Sequence, residues 1–132
     1  MKIEIFNSER YFTVHDYFLS HKQLLLRSSK DEINLENIDI VFFGVEYIQL
    51  CTSLKSILIN KIDWDKNLFH SNSIETFLSR EKNSVFELTS NEEKFYVAAS
   101  IVKIYLNELE YNQTSLGLHS VIGRQKEIAS ST

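Results

Sequence analysis

Hydrophobic and polar positions alternate along several short segments of the chain, which is the pattern of half-buried β-strands. Residues 11–19 are dense in aromatic and β-branched side chains, and residues 23–27 continue the pattern after a short polar turn. Together these two segments predict an antiparallel hairpin. Residues 38–43 predict another strand, and Gly44 permits a bend or bulge before the apolar positions of residues 45–50.

Two further segments differ in their pattern. Residues 57–62 form a short apolar run of strand length. Within residues 65–81 the pattern favours one short helix, because Ser73 is a suitable N-cap for the residues that follow it.

Residues 94–111 fit two templates. As a helix, they place one apolar stripe on a single face, and residues 90–93 match a capping box. As strands, they are rich in β-branched and aromatic residues, and residues 85–89 would pair with them across a short turn. We favour the strands and keep a long helix over residues 91–111 as the alternative.

These elements predict a mainly β (β-rich α+β) fold: a curved antiparallel sheet, sandwich or half-barrel, with one short helix near 65–81. The alternative is an α+β fold with a long helix at 91–111. A chain of 132 residues suits a single domain, which we assign to residues 1–117. Residues 118–132 are polar, and we expect them to form a frayed C-terminal tail.

The charge distribution disfavours a nucleic-acid partner, and the lack of a long apolar run disfavours a membrane partner. The net charge is −4, and residues 31–50 contain five acidic side chains with no Lys or Arg. Binding to a phosphate backbone needs clustered cations, so we expect no nucleic-acid partner. No apolar run approaches the roughly 20 residues that cross a bilayer, so we expect no membrane partner either.

Glycine and cysteine are too scarce for several common sites. With three glycines in the chain, neither Gly-x-Gly-x-x-Gly nor Gly-x-x-x-x-Gly-Lys can be formed, so we predict no phosphate-binding loop and no cofactor. Cys51 is the sole cysteine and excludes an internal disulfide. We therefore expect a reducing, cytoplasmic compartment, with Cys51 as a small buried hydrophobe.

Evidence for catalysis in the sequence is weak. Asp63 and Asp65 occupy alternate positions with His70 nearby, which makes them a weak alternative site, although Asp is also a common cap and turn residue. His15 and His21 would come close on a hairpin, but a catalytic metal site needs three converging ligands. We predict no catalytic residue and no metal site.

Aromatic residues are more frequent in the predicted strands than one buried face requires. Either the sheet is covered on both faces, or some aromatic side chains contact a partner. Exposed tyrosines are favoured anchors at protein interfaces, and neighbouring carboxylates attract a basic surface. The candidate interaction surface consists of Tyr11, Tyr17, Tyr47, Asp39 and Glu46.

The function that fits these features best is a non-catalytic protein-binding module with a basic protein partner, such as an inhibitor or an immunity-type antidote to a toxin. Homodimerisation through an exposed strand edge would give the same sequence pattern. A small β-barrel that binds an apolar ligand is the alternative. A small enzyme with a motif-free site is less favoured.

Overall fold

The computed structural model describes residues 2–63, 84–117 and 122–132. Within these ranges the chain is mainly β, with a single 3₁₀ turn at Leu19–His21. The strands are β1 (Lys2–Ser8), β2 (Phe12–Phe18), β3 (Gln23–Ser28), β4 (Asn37–Phe43), β5 (Tyr47–Gln49), β6 (Ser53–Leu54), β7 (Ile57–Ile62), β8 (Ser84–Ser90), β9 (Glu93–Ala99), β10 (Ile101–Asn107) and β11 (Lys126–Ser130). The predicted β-rich fold is confirmed.

The strands form two antiparallel sheets that do not close into a barrel. The first sheet has the order β1-β7-β8-β9-β5, and the second has the order β11-β10-β4-β3-β2-β6. Alternate side chains of both sheets meet in one apolar core, where the rings of Phe42 and Phe86 lie 5.8 Å apart. The fold is therefore a two-layer sandwich, held together by the period-two alternation of the strands.

The predicted hairpin of residues 11–27 is present as β2 and β3, which pair in antiparallel register. Gly44, with a φ of 67°, lies between β4 of the second sheet and β5 of the first. Its left-handed backbone conformation turns the chain from one layer of the sandwich to the other.

The long helix proposed as an alternative for residues 91–111 is wrong, because this segment forms β9 and β10. Asn91 and Glu92 both have positive φ, 49° and 69°. This is the backbone of a tight hairpin turn that matches the twist of paired strands. The turn joins β8 to β9, so the polar residues that resembled a helix cap belong to a hairpin instead.

Part of the expected C-terminal tail is in the second sheet. Residues 126–130 form β11, which pairs with β10, and the Ser131 amide donates a hydrogen bond to the Val102 carbonyl at 3.0 Å. Backbone pairing with β10 orders this part of the tail despite its polar composition. The helix predicted near 65–81 lies outside the described residues. No helix among the residues that are described is long and apolar enough to span a membrane.

The position of Cys51 differs from the prediction. This residue follows β5 and is exposed rather than buried. The chain passes between the two layers at this point, which leaves Cys51 outside the core.

Candidate functional site

Residues 108–117 cover the outer face of the second sheet, and we call them the covering segment. Leu116 packs there against Leu25, Val41 and Tyr105, in a cluster separate from the main core. All six residues of β3 are buried as a result. The second sheet is therefore covered on both faces at its centre, which is one of the two explanations that the aromatic density allowed.

A buried ion pair lies beneath the covering segment. Arg27 donates two parallel hydrogen bonds to Asp39, from Nε to Oδ1 at 2.6 Å and from Nη2 to Oδ2 at 2.8 Å. The two side chains are only 1% and 0% exposed. Such a bidentate pair is geometrically specific and strong, but it needs further partners to offset the loss of hydration.

Those further partners tie the covering segment to the sheet. Asp39 Oδ2 also accepts hydrogen bonds from Asn107 Nδ2 at 2.9 Å and from Ser115 Oγ at 2.7 Å. Arg27 Nη1 donates to the backbone carbonyl of Gln113 at 2.8 Å. The ion pair thus acts as a clamp that holds the covering segment on the sheet.

His15 contacts the same clamp from β2. It is the extra residue of a β-bulge, since Val14 and Asp16 face consecutive residues of β3, and bulges redirect side chains. Its Nε2 lies 3.0 Å from Arg27 Nη1, and its ring meets the ring of Tyr111 edge-on at 5.2 Å. Burial, and then the charge of Arg27, hold the pKa of His15 below its ordinary value of 6.5.

A groove of about 540 Å³ runs between the covering segment and residues 29–36 and opens to solvent. Its floor includes Thr13 and Arg27, which are paired across β2 and β3. The full lining consists of Glu9, Arg10, Tyr11, Thr13, Arg27, Ser28, Ser29, Asp31, Asn34 and Tyr111.

Large apolar side chains are exposed in the segments that form the groove. Tyr11 is 55% exposed and Tyr111 is 78% exposed, and both line the groove. Ile33 and Leu35, which flank the lining residue Asn34, are 89% and 70% exposed. Apolar side chains grouped in this way mark a contact surface more often than single exposed residues do.

Carboxylates outnumber cations in the same segments. In residues 9–13, 27–36 and 108–117 the acidic side chains are those of Glu9, Asp31, Glu32, Glu36, Glu108 and Glu110, and the cations apart from the paired Arg27 are Arg10 and Lys30. Hydrogen bonds from the backbone amides of Asn34 and Ile33 hold the pKa of Asp31 below its ordinary value, so this carboxyl stays ionised.

The two cations are already engaged within the protein. Arg10 donates from Nη2 to the carbonyls of Ser28 and Glu36, each at 3.0 Å. Lys30 Nζ donates to the Glu108 carbonyl and lies 3.2 Å from Glu110 Oε1. Hydrogen bonds to carbonyls leave the charge of Arg10 in place, but the acidic side chains of these segments outnumber the cations, so the net charge around the groove is negative.

The structure separates the five residues of the predicted interaction surface. Tyr11 lines the groove, whereas Tyr17 lies six residues further along the chain, about 20 Å away in an extended strand. Tyr47 is half-buried in the first sheet, and Glu46 pairs with Lys22. Asp39 is buried, so its assignment to the surface is wrong.

Of the alternative sites, only Asp63, His15 and His21 belong to the described residues. Asp63 is exposed, while Asp65 and His70 lie outside the described residues. His21 contacts the ring of Phe18, with ring centroids 4.9 Å apart, and His15 contacts Arg27. No group of three potential metal ligands occurs among the residues that are described.

Of the residues that line the groove, the sequence analysis had named Tyr11 and missed the others, Arg10 and Tyr111 among them, and it also missed Ile33 and Leu35 beside the groove. Ile33 and Leu35 did carry a signal, because they are isolated apolar residues within an acidic, turn-forming stretch. No family model, curated protein or solved structure matches this chain. The groove is therefore the feature of this chain that bears on its function.

Proposed function

We propose that this protein is a non-catalytic binding module that receives a basic segment of a partner protein in the groove between the covering segment and residues 29–36. The observation that carries the proposal is the combination of two exposed tyrosines in an open groove with exposed aliphatic side chains and an excess of carboxylates in the segments that form it. Each feature alone is common on protein surfaces. Together they match both parts of a long cationic side chain, its apolar stem and its charged end.

Tyr11 and Tyr111 supply the apolar contact surface of the groove. Both side chains lose contact with water when a partner covers the groove, and tyrosine is enriched among the residues that contribute most to binding. An aromatic ring also attracts Lys or Arg across its face, most effectively after desolvation. These two tyrosines are the expected anchors.

The electrostatic contribution concerns selectivity. Carboxylates at the rim attract a basic segment, increase its association rate and oppose an acidic one. These carboxylates are in contact with solvent, where salt screens their charge, so we expect binding to weaken as ionic strength rises.

A second copy of this chain is a poorer occupant than a basic partner. The chain carries a net charge of −4, so two acidic faces would repel each other. Edge-to-edge pairing is also hindered in the described sheets: β5 and β6 are three and two residues long, and β1 and β11 each contain a bulge. Short and bulged edges are common devices against such pairing.

An apolar ligand between the sheets is also less well supported. The space between the layers is filled by side chains that include Phe42 and Phe86, and the groove is open and lined largely by polar residues. An inhibitor or immunity-type role, in which the groove masks a basic surface of an effector, is the form of the proposal that we favour. We place this role in the reducing cytoplasm, where the exposed thiol of Cys51 stays reduced.

A library of short peptides tests the proposal. The central residue is fixed as Arg, Lys, Glu or Leu, its neighbours are randomised, and binding is measured by fluorescence polarisation at low and at high salt. We expect the Arg and Lys sets to bind and the Glu set to fail, with weaker binding at high salt.

Matched substitutions locate the binding. Tyr111→Ser and Ile33→Ser should weaken binding of the selected peptides about tenfold or more. Ile48→Ser is the control, because Ile48 is an exposed isoleucine on β5 of the other sheet, 42% accessible. Equal binding by the Glu set, or equal losses at Ile33 and Ile48, would overturn the proposal.

A further inference from the structure

We propose that His15 makes the groove sensitive to pH: its protonation loosens the covering segment and withdraws Tyr111 from the groove. This inference rests on the proposed function for its biological meaning. The opening of the covering segment is itself measurable without any partner.

The first step is the position of His15 in the clamp. With Nε2 only 3.0 Å from Arg27 Nη1, the neutral ring accepts a hydrogen bond from the guanidinium. The imidazolium form has N–H groups at both nitrogens and no acceptor. Protonation therefore removes this hydrogen bond and places two positive charges in contact.

The second step is the set of charged and polar groups that face His15. Arg27 on β3 contacts His15, and its positive charge opposes protonation of the ring. Asp39 on β4 carries a negative charge that favours protonation. From the covering segment it meets the ring of Tyr111, and the backbone carbonyls of Tyr111 and Gln113 also favour protonation. The side chain of Glu110 is turned to Lys30 instead.

The balance of these groups sets the direction of the effect. Burial and the charge of Arg27 are the two largest influences, and both lower the pKa of His15. A histidine with a lowered pKa in the folded state takes up its proton more readily once its surroundings open. As the pH falls below the ordinary pKa of 6.5, the open state therefore becomes more stable relative to the closed state. This change ends below the lower pKa that His15 has in the closed state.

The third step links Arg27 to the groove. Its Nη1, which meets His15, also donates to the carbonyls of Gln113 at 2.8 Å and Glu110 at 3.4 Å. Both carbonyls belong to the covering segment, on either side of Tyr111. If protonated His15 displaces the guanidinium, these hydrogen bonds to the covering segment are lost, and Tyr111 between the two carbonyls is no longer held at the groove.

Hydrogen–deuterium exchange of the free protein tests this inference. Exchange of peptides that span residues 108–117 is followed from neutral to mildly acidic pH and corrected for the intrinsic pH dependence of amide exchange. We expect the corrected opening of this segment to increase as the pH falls below 6.5. The increase is about tenfold at most for each unit by which the pKa of His15 is lowered.

Two variants and one direct titration complete the test. His15→Gln keeps a hydrogen-bond acceptor but cannot become charged, so the pH-dependent opening should disappear, while His21→Gln should leave it unchanged. An NMR titration of the unmodified protein should place the His15 pKa below 6.5. Opening that persists in His15→Gln, or a His15 pKa at or above the ordinary value, would overturn the inference, whether or not basic peptides bind.

Discussion

At the scale of single residues, the ion pair of Arg27 and Asp39 determines how the outer face of the second sheet is organised. Two buried charges lose favourable hydration, and only well-placed partners offset that loss. Here Asn107 and Ser115 donate further hydrogen bonds to the carboxylate of Asp39. Backbone carbonyls of the covering segment accept further hydrogen bonds from the guanidinium of Arg27. The ion pair therefore stabilises one arrangement of the segment that borders the groove.

Removing one charge of this pair should be costly. We expect Asp39→Asn to lower the free energy of unfolding by about 3–5 kcal/mol, because Arg27 is then a buried cation without a counter-charge. Urea denaturation monitored by circular dichroism measures this change. The matched control is Lys103→Gln, which removes the partly exposed pair with Glu127 and should cost less than about 1 kcal/mol. Similar losses in the two variants would contradict this account.

At the scale of elements, the chain changes layer at Gly44. A Cβ at this position would approach Ser100 Oγ to 2.5 Å, in a backbone conformation that side chains rarely adopt. Two separate penalties therefore oppose any other residue there, one steric and one conformational. The connection between the sheets depends on the absence of a side chain at this position.

A double-mutant comparison separates these penalties. Gly44→Ala should lower the free energy of unfolding by roughly 1–2 kcal/mol for the left-handed backbone, with a further loss for the contact with Ser100. In the background of Ser100→Ala the second loss should shrink while the first remains, as thermal unfolding would show. If Gly44→Ala is neutral, the role assigned to this crossing is wrong.

Most strands could be predicted from the sequence because alternation is a local signal that each segment carries by itself. Residues 94–111 were harder, since the same apolar residues satisfy two periodicities and only the turn at Asn91 and Glu92 distinguishes them. Asp39 was misplaced for a different reason. Its alternation with apolar neighbours indicates an open face, and only the distant covering segment, with Ser115, makes that face an interior.

At the scale of the whole molecule, the two sheets differ in how they contribute to the proposed function. They share one core, while the groove lies on the outer face of the second sheet alone. The groove combines segments that are far apart in sequence, around Tyr11, Ile33 and Tyr111. Of the five residues in the predicted surface only Tyr11 lines this groove, because non-local pairing brings the other groove residues together.

Site-specific photo-crosslinking in the native host cell tests the central claim most directly. Tyr111 in the groove and Ile48 on the first sheet are each replaced by p-benzoylphenylalanine, and the cross-linked peptides are sequenced after irradiation. We predict that the probe at position 111 captures a partner through a segment rich in Lys and Arg, and that the probe at position 48 does not. Capture at position 48 alone, or capture of an acidic segment at position 111, would contradict the account.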